Sequence, residues 1–180
     1  MTDLSPVTAL GDSAPRCARF GALTLSENTG LALASLALRK GQAVPAPFGL
    51  ALPDVARAVS SGSHGAFWIG RGQWMIEGEG LAETDFAAAL QAQVPGYTVT
   101  EQTDGFVAIE IVSESGAAPL ERLLSRLVNI DLKTLEPGCC LRTGLEHMSV
   151  FLIRRSDTRL VVIGMRSLAG SLWHALSQVA

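Results

Sequence analysis

The order of apolar patterns between residues 100 and 180 constrains the fold of this chain more than any other feature. Continuous or alternating apolar runs predict strands, and apolar residues three and four positions apart predict helices. The predicted elements are a strand at 105–112, a helix at 118–128, strands at 139–142, 148–155 and 159–163, and a helix at 167–179. This β-α-β-β-β-α order predicts helices packed on an antiparallel sheet.

The first half of the chain holds a weaker version of this pattern. A weak strand is predicted at 20–25. Residues 29–39 alternate Leu with Ala but shift phase at Ala34 and Ser35, so the run permits a bulged strand or a helix. The strand is favoured because glycines bracket the run.

A hairpin is the clearest element of the first half. Two apolar runs within 65–77 flank a turn at 70–73, whose glycines supply the positive φ angles that tight hairpins need. Trp68 and Trp74 lie on opposite arms of this hairpin. We therefore predict a cross-strand aromatic pair, or two separate core anchors, rather than a platform for a ligand.

A helix is predicted at 82–93, after the hairpin. Thr84 or Asp85 can cap its start, and Pro95-Gly96 ends it. Prolines exclude a long helix at 40–53.

The two halves match each other in outline. The matched pairs are 48–53 with 127–132, the hairpin 67–78 with 150–164, and the helix from 83 with the helix from 167. We predict an α+β fold of antiparallel sheets with packed helices, built from two pseudo-repeated β-α-β-β-α units. The predicted divisions are a flexible N-terminal arm at 1–17, a first α+β half at 18–96 and a second α+β half at 97–180. Whether the halves form one sheet or two lobes is open.

The composition is apolar for a chain of this kind. Hydrophobic residues make up 48% and charged residues 17% of the 180 residues, whereas about 25% charged is usual. Two explanations fit: another protein covers much of the surface, or small Ala and Gly residues raise the apolar fraction.

Charge and cysteine content exclude several classes of protein. The formal net charge is −3 without a basic cluster, which argues against a nucleic-acid-binding protein. No targeting signal and no membrane-length apolar run is recognised. Three cysteines, two of them adjacent, argue against a disulfide framework. We expect a cytoplasmic protein.

No group of side chains predicts an active site. His64, His147 and His174 are not at metal-ligand spacing, and His147 is the best lone general base although no partner is visible. Adjacent Cys139 and Cys140 point to opposite faces of a strand, so their expected role is structural.

Two further patterns are equally weak. Glu77 and Glu79 are predicted to be a solvated pair rather than an acid/base dyad. Nucleophile-elbow and dinucleotide-binding motifs are not found. We therefore predict no catalytic, cofactor-binding or metal-binding residues.

Several short segments in a fixed order resemble a known family. They include Thr100-Glu-Gln-Thr-Asp-Gly-Phe, Asn129-Ile-Asp-Leu, Glu136-Pro-Gly-Cys, Arg166-Ser-Leu-Ala-Gly-Ser-Leu-Trp-His, Leu36-Ala-Leu-Arg-Lys-Gly, Phe48-Gly-Leu-Ala-Leu-Pro and Gly72-Gln-Trp. This set, spread over the chain from about residue 18, resembles the gamma subunit of heterotetrameric sarcosine oxidase. Arg71 departs from the family, where Pro is expected in the hairpin turn.

That family is in turn similar to the folate-binding fold of the glycine-cleavage aminomethyltransferases, with its ferredoxin-like halves. The resemblance implies that an acidic pair of that fold falls at Met148 and Ser149, and that an Asn falls at Gly164. None of these side chains is a carboxylate or an amide. The resemblance therefore implies a folate-type fold without folate chemistry.

The resemblance also implies a role and partners. The complex oxidises sarcosine to glycine, carries FAD, FMN and NAD, and transfers a one-carbon unit to tetrahydrofolate. This chain would be a non-catalytic structural subunit that binds no cofactor itself and packs against the alpha, beta and delta subunits. Nucleic acid and membrane are not expected partners.

Two alternatives stay open. One is an independent folate-binding or aminomethyltransferase-like protein, with Glu146 and His147 as its polar groups. The other is a structural or regulatory domain that self-associates through its apolar surface when isolated.

Overall fold

The computed structural model describes residues 7–180. The strands in this range are β1 Cys17–Phe20, β2 Leu23–Asn28, β3 Ala32–Ala37, β4 Ala58–Ser61, β5 His64–Gly70, β6 Gln73–Gly78, β7 Thr98–Glu101, β8 Phe106–Ser113, β9 Cys140–Leu145, β10 Met148–Ser156 and β11 Arg159–Met165. The α-helices are α1 Phe86–Gln93, α2 Ala118–Leu127 and α3 Ala169–Val179. Short 3-10 turns lie at Pro47–Gly49, Thr103–Gly105, Leu132–Thr134 and Arg166–Leu168.

The strands form two antiparallel sheets, as an α+β fold requires. The six-stranded sheet has the order β1-β2-β8-β11-β10-β9, and the five-stranded sheet has the order β4-β5-β6-β3-β7. The two sheets are therefore separate layers rather than one continuous sheet.

The fold has four layers: α1, the five-stranded sheet, the six-stranded sheet, and α2 with α3. An apolar cluster lies between each pair of neighbouring layers. Phe86 and Leu90 of α1 pack on the outer face of the five-stranded sheet. Leu123 of α2 and Leu172 of α3 pack on the outer face of the six-stranded sheet. The third cluster lies between the sheets, where Phe67 of β5 meets Phe151 of β10 with ring centroids 5.2 Å apart. Each sheet thus buries both of its faces, which explains why several strands carry continuous apolar runs.

The sheets cross the predicted division of the chain. β2 and all of β1 except Cys17 come from the predicted first half, yet both strands belong to the six-stranded sheet, where β2 pairs with β8. β7, from the predicted second half, pairs with β3 in the five-stranded sheet. The boundary at 96–97 is therefore not a boundary between the sheets, because the chain passes from sheet to sheet after β2 and again after β7.

Backbone hydrogen bonds join the two sheets along one edge. The Ala58 N–H donates to the Gly138 carbonyl and the Cys140 N–H donates to the Ala56 carbonyl, both at 2.9 Å. Between them Arg57 and Cys139 form an antiparallel bridge. The edge strands β4 and β9 thereby cover each other at this corner, which protects them from pairing with other chains.

Most elements predicted from periodicity occur, with changes at their ends. The run at 29–39 contains a strand, β3, and the predicted strand at 20–25 is divided by a turn at Gly21, where φ is +57°. The predicted helix start at 82 is wrong. Thr84 donates from its hydroxyl to the Leu81 carbonyl, and Asp85 caps the helix by accepting from the Ala88 N–H at 3.0 Å.

Part of the segment predicted to be a flexible arm lies outside the described residues. Its described part packs on the six-stranded sheet around Glu27, which is 5% exposed. The Glu27 carboxylate accepts from the backbone N–H groups of Leu10 and Arg16, at 3.2 and 3.3 Å. The Arg16 guanidinium lies 5.6 Å from the ring centroid of Trp173. These contacts give residues 7–16 defined partners in the fold.

Candidate functional site

A cleft lined by several charged side chains opens between the two sheets. Its volume is about 380 Å³. Carboxylates, guanidinium groups and two apolar side chains line it; the lining includes Glu77, Glu79, Glu110, Arg155, Arg159, His64, Gly65, Leu31 and Val161. The charged groups come from β6, β8, β10, β11 and the residue that follows β6. The cleft therefore exists only when both sheets are assembled.

An ion pair between Glu77 and Arg155 crosses from one sheet to the other. Glu77 of β6 is 3% exposed, and its Oε1 accepts from the guanidinium of Arg155 on β10. Both side chains continue rows that face the apolar layer between the sheets. The prediction that Glu77 and Glu79 form a solvated pair is wrong for Glu77, because the packing of the second sheet buries it.

Gly65 makes room for the Glu77 carboxylate. The two residues are direct partners across β5 and β6. A Cβ at Gly65 would lie 2.5 Å from Glu77 Oε2, far inside van der Waals contact. The missing side chain at Gly65 is therefore what lets this carboxylate sit between the sheets.

A network of hydrogen bonds connects Glu79 and Glu110 of the cleft through Asn28. The Asn28 amide donates to Glu110 Oε1 at 3.1 Å and to Glu79 Oε2 at 3.1 Å. Arg159 donates to Glu110 Oε2 at 3.3 Å. The lining thus holds three carboxylates and two guanidinium groups.

The electrostatics of the cleft follow from burial. Burial raises the pKa of Glu77 above its ordinary value of 4.5, because the loss of hydration outweighs the attraction and hydrogen bond of Arg155, and Glu110 and Glu79 add repulsion. Burial also raises the pKa of the nearby Cys140 thiol to about 12, with a contribution from the Glu77 charge. Cys140 is therefore a protonated packing residue rather than a nucleophile.

The structure places the two cysteines on opposite sides of the six-stranded sheet, as predicted. Cys140 belongs to the cluster between the sheets, and Cys139 belongs to the cluster under α2 and α3. Cys139 Sγ accepts from the Arg57 guanidinium at 3.1 Å. This contact strengthens the edge where the sheets join.

The three histidines lie in different surroundings, and only His64 lines the cleft. His64 lines the cleft, and its ring stacks on Phe48 with centroids 4.1 Å apart. His147 lies in the exposed turn between β9 and β10 with φ +68°, next to Glu146 with φ +43°. His174 is exposed on α3. His147, the best general base by sequence, thus sits in no cleft named above.

The three positions aligned with the folate-binding residues do not meet at a cavity. Met148 packs under the helices at 6% exposure, while Ser149 is exposed and accepts from Arg142 at 3.0 Å. A Cβ at Gly164 would lie 2.9 Å from Leu172 Cδ2. Gly164 therefore serves close packing of α3 on β11.

A second cavity of about 470 Å³ lies where the chain passes between the sheets. Its walls include Glu27, Leu31, Leu33, Asp104, Phe106 and Arg166. Arg166 pairs with Asp104 at 3.9 Å and donates to the Val7 carbonyl at 3.3 Å. The described N-terminal residues thus form one wall of this cavity.

Residues 7–180 contain neither a metal-binding cluster nor a helix that could span a membrane. No set of three or more His, Cys, Asp or Glu side chains is placed to hold a metal ion. Among the helices of this range, none has the length and apolar character needed to cross a membrane.

The inter-sheet charge pair was missed by sequence analysis. Glu77 and Arg155 are 78 positions apart, and no local pattern links them. The signal that exists is indirect: Glu77 follows a buried apolar run, and the small residue Gly65 stands opposite it in the predicted hairpin.

Comparison with known proteins gives a fold relationship. No family model matches the chain, and no curated protein shows a significant match. Among solved structures, the chain is similar to one chain of the heterotetrameric sarcosine oxidase from Corynebacterium sp. U-96, in complex with pyrrole 2-carboxylate. The TM-score is 0.69 at 16% identity, over 87% of this chain and 83% of that chain. This chain therefore has the fold of a sarcosine oxidase chain.

Proposed function

We propose that this chain is the gamma subunit of a heterotetrameric sarcosine oxidase, with a structural rather than a catalytic role. The single observation that carries the proposal is the structural match to a chain of such a complex. Because the match covers most of both chains, the two are of similar length. This favours a small subunit over the larger flavin-bearing ones that the family resemblance implies.

The aligned folate positions support a non-catalytic role. Met148 packs under the helices, and the Ser149 hydroxyl accepts a hydrogen bond from Arg142. Leu172 fills the space beside Gly164. None of them offers a carboxylate or amide to a pterin ring. In this proposal FAD, FMN, NAD and tetrahydrofolate belong to the alpha, beta and delta subunits, and the complex is cytoplasmic.

We also propose that the fold arose from two copies of one unit. The orders β4-β5-β6-β3-β7 and β9-β10-β11-β8-β2 correspond strand by strand. Gly78 is the last residue of β6 and Gly164 the penultimate residue of β11, the corresponding strand. A Cβ at either position would lie within 3 Å of a helix side chain, that of Phe86 or Leu172 respectively. Strands β2 and β7, which occupy corresponding positions, are then exchanged between the units, so each sheet depends on both.

Co-purification tests the proposal. The tagged chain is expressed with the products of its flanking genes, and a tag-only chain is the control. We expect flavoprotein-sized subunits to be recovered with the chain in fixed ratio. Recovery of the tagged chain alone, as a folded monomer, would contradict the proposed role.

An independent folate-binding protein is the second candidate. The observation that favours it is the cavity of about 470 Å³ at the sheet crossing, which has room for a ligand. Calorimetry of the purified chain with tetrahydrofolate decides between the candidates. A saturable heat supports this candidate, and no heat at millimolar ligand removes it.

A further inference from the structure

We propose that the cleft between the sheets binds a small alkylammonium ion on the carboxylate of Glu77. The inference concerns this chain alone and does not depend on the partner subunits. It rests on one oxygen of the Glu77 carboxylate that accepts no hydrogen bond from the described residues, on the charges around it and on the apolar side chains that line the same cleft.

The buried carboxylate has spare hydrogen-bonding capacity. Within the described residues, the hydrogen bond from Arg155 reaches Oε1, and none reaches Oε2. Oε2 lies against Gly65, which also lines the cleft. A carboxylate oxygen so placed accepts most strongly from a charged N–H donor.

The charge of the lining favours a cation. Glu77, Glu79 and Glu110 face Arg155 and Arg159, which leaves one negative charge in excess. The raised pKa of Glu77 shows that Arg155 does not fully compensate for the burial of this carboxylate. A second cation beside Oε2 would supply the missing compensation.

Two apolar side chains in the lining suit an alkyl chain. Val161 is 2% exposed, Leu31 is partly buried, and both line the same cleft as Glu77. Binding sites of this size are commonly apolar walls with a few polar groups that orient the ligand. The predicted pose places the ammonium at Glu77 Oε2 and the alkyl chain against Leu31 and Val161.

The test is a titration of the full chain followed by amide NMR. The probe is n-butylammonium chloride; sodium chloride controls for ionic strength, and n-butanol controls for the alkyl chain. We expect saturable shifts at the amides of Gly65 and Glu77 with the ammonium salt. Neither control should produce saturable shifts there.

Two variants locate the site. Glu77→Gln should weaken butylammonium binding about tenfold, because it removes a charge-assisted hydrogen bond. Glu121→Gln, on the exposed face of α2, should leave binding unchanged. Should Glu77→Gln not fold, the location of the wild-type shifts decides the matter. Unsaturable or scattered shifts, or equal binding by a folded Glu77→Gln, would overturn the proposal.

Discussion

Glu77 and Arg155 pair across the interface of two different sheets, and Glu77 is almost fully buried there. The pair joins β6 to β10, which belong to separate layers of the fold. A buried carboxylate with one guanidinium partner adds little net stability but is costly to break. The relationship therefore predicts how the stability of the protein responds to pH and substitution.

The pH dependence has a definite sign. Because the folded-state pKa of Glu77 lies above the ordinary 4.5, the folded state holds this proton more tightly than the unfolded state. The favourable contribution is complete below about pH 4.5 and falls as pH rises through the raised folded-state pKa. Urea unfolding of the wild type and of Glu77→Gln, from about pH 4 to pH 8, measures this contribution to the free energy of unfolding.

The free energy of unfolding of the wild type, minus that of Glu77→Gln, should decrease as pH rises. Glu121→Gln, at an exposed position on α2, controls for removal of a carboxylate as such. A difference that is constant or that grows with pH would show that the folded state does not raise the pKa of Glu77.

Glycines in the last two residues of three strands should differ in their tolerance of a methyl group. A Cβ at Gly78 would lie 2.7 Å from the Phe86 ring, and one at Gly164 would lie 2.9 Å from the terminal methyl of Leu172. Nothing lies within 4 Å of a Cβ at Gly144. Overpacking costs about 1–3 kcal/mol, and a leucine methyl moves more easily than a ring.

We therefore expect Gly78→Ala to destabilise most, Gly164→Ala less, and Gly144→Ala hardly at all. Thermal or urea unfolding of the three variants gives the order. An equal loss at Gly144 would mean that the effect comes from strand backbone rather than from helix contact.

The indole of Trp74 should matter for stability through its hydrogen bond. Trp74 Nε1–H donates to the buried Pro53 carbonyl at 2.7 Å. Trp74→Phe leaves that carbonyl unpaired, which costs about 1–3 kcal/mol. Trp68 stands opposite on β5 but is only partly buried, so Trp68→Phe is the matched control. Equal free energies of unfolding for the two variants would argue against the Trp74 bond.

The cysteines should react unequally with iodoacetamide. Cys17 is exposed, whereas Cys139 and Cys140 are buried and burial raises the pKa of Cys140 to about 12. At about pH 8 the native protein should take up a single label, at Cys17. Peptide mass spectrometry identifies the labelled site, and unfolded protein should label at all three cysteines. Rapid native labelling of Cys140 would contradict its buried position.

Local turn and periodicity signals predicted much of this fold. The hairpin of β5 and β6 and that of β10 and β11 are encoded by apolar runs around short polar turns, and both occur. Strands β4 and β7 have four residues each, too few for a clear period. Their positions depend on pairing with β5 and β3 rather than on their own sequence.

Two features could not be predicted for a related reason: the exchange of β2 and β7 between the sheets, and the cleft. β2 pairs with β8 in a register that sets Glu27 opposite Ile109. These two partners are more than 80 positions apart in the sequence. No local rule specifies that pairing. The burial of Glu77 follows only after the second sheet is placed over it, so a solvated carboxylate was the reasonable sequence-based prediction.

The role proposed for this chain is that of a structural subunit in a larger oxidase. Native mass spectrometry of the candidate alpha, beta and delta subunits, co-expressed with and without this chain, tests it most directly. We predict that the chain adds 18.9 kDa to a single assembly, and that the assembly loses integrity without it. Partners that assemble fully in its absence, while the chain migrates at its own mass, would contradict the account.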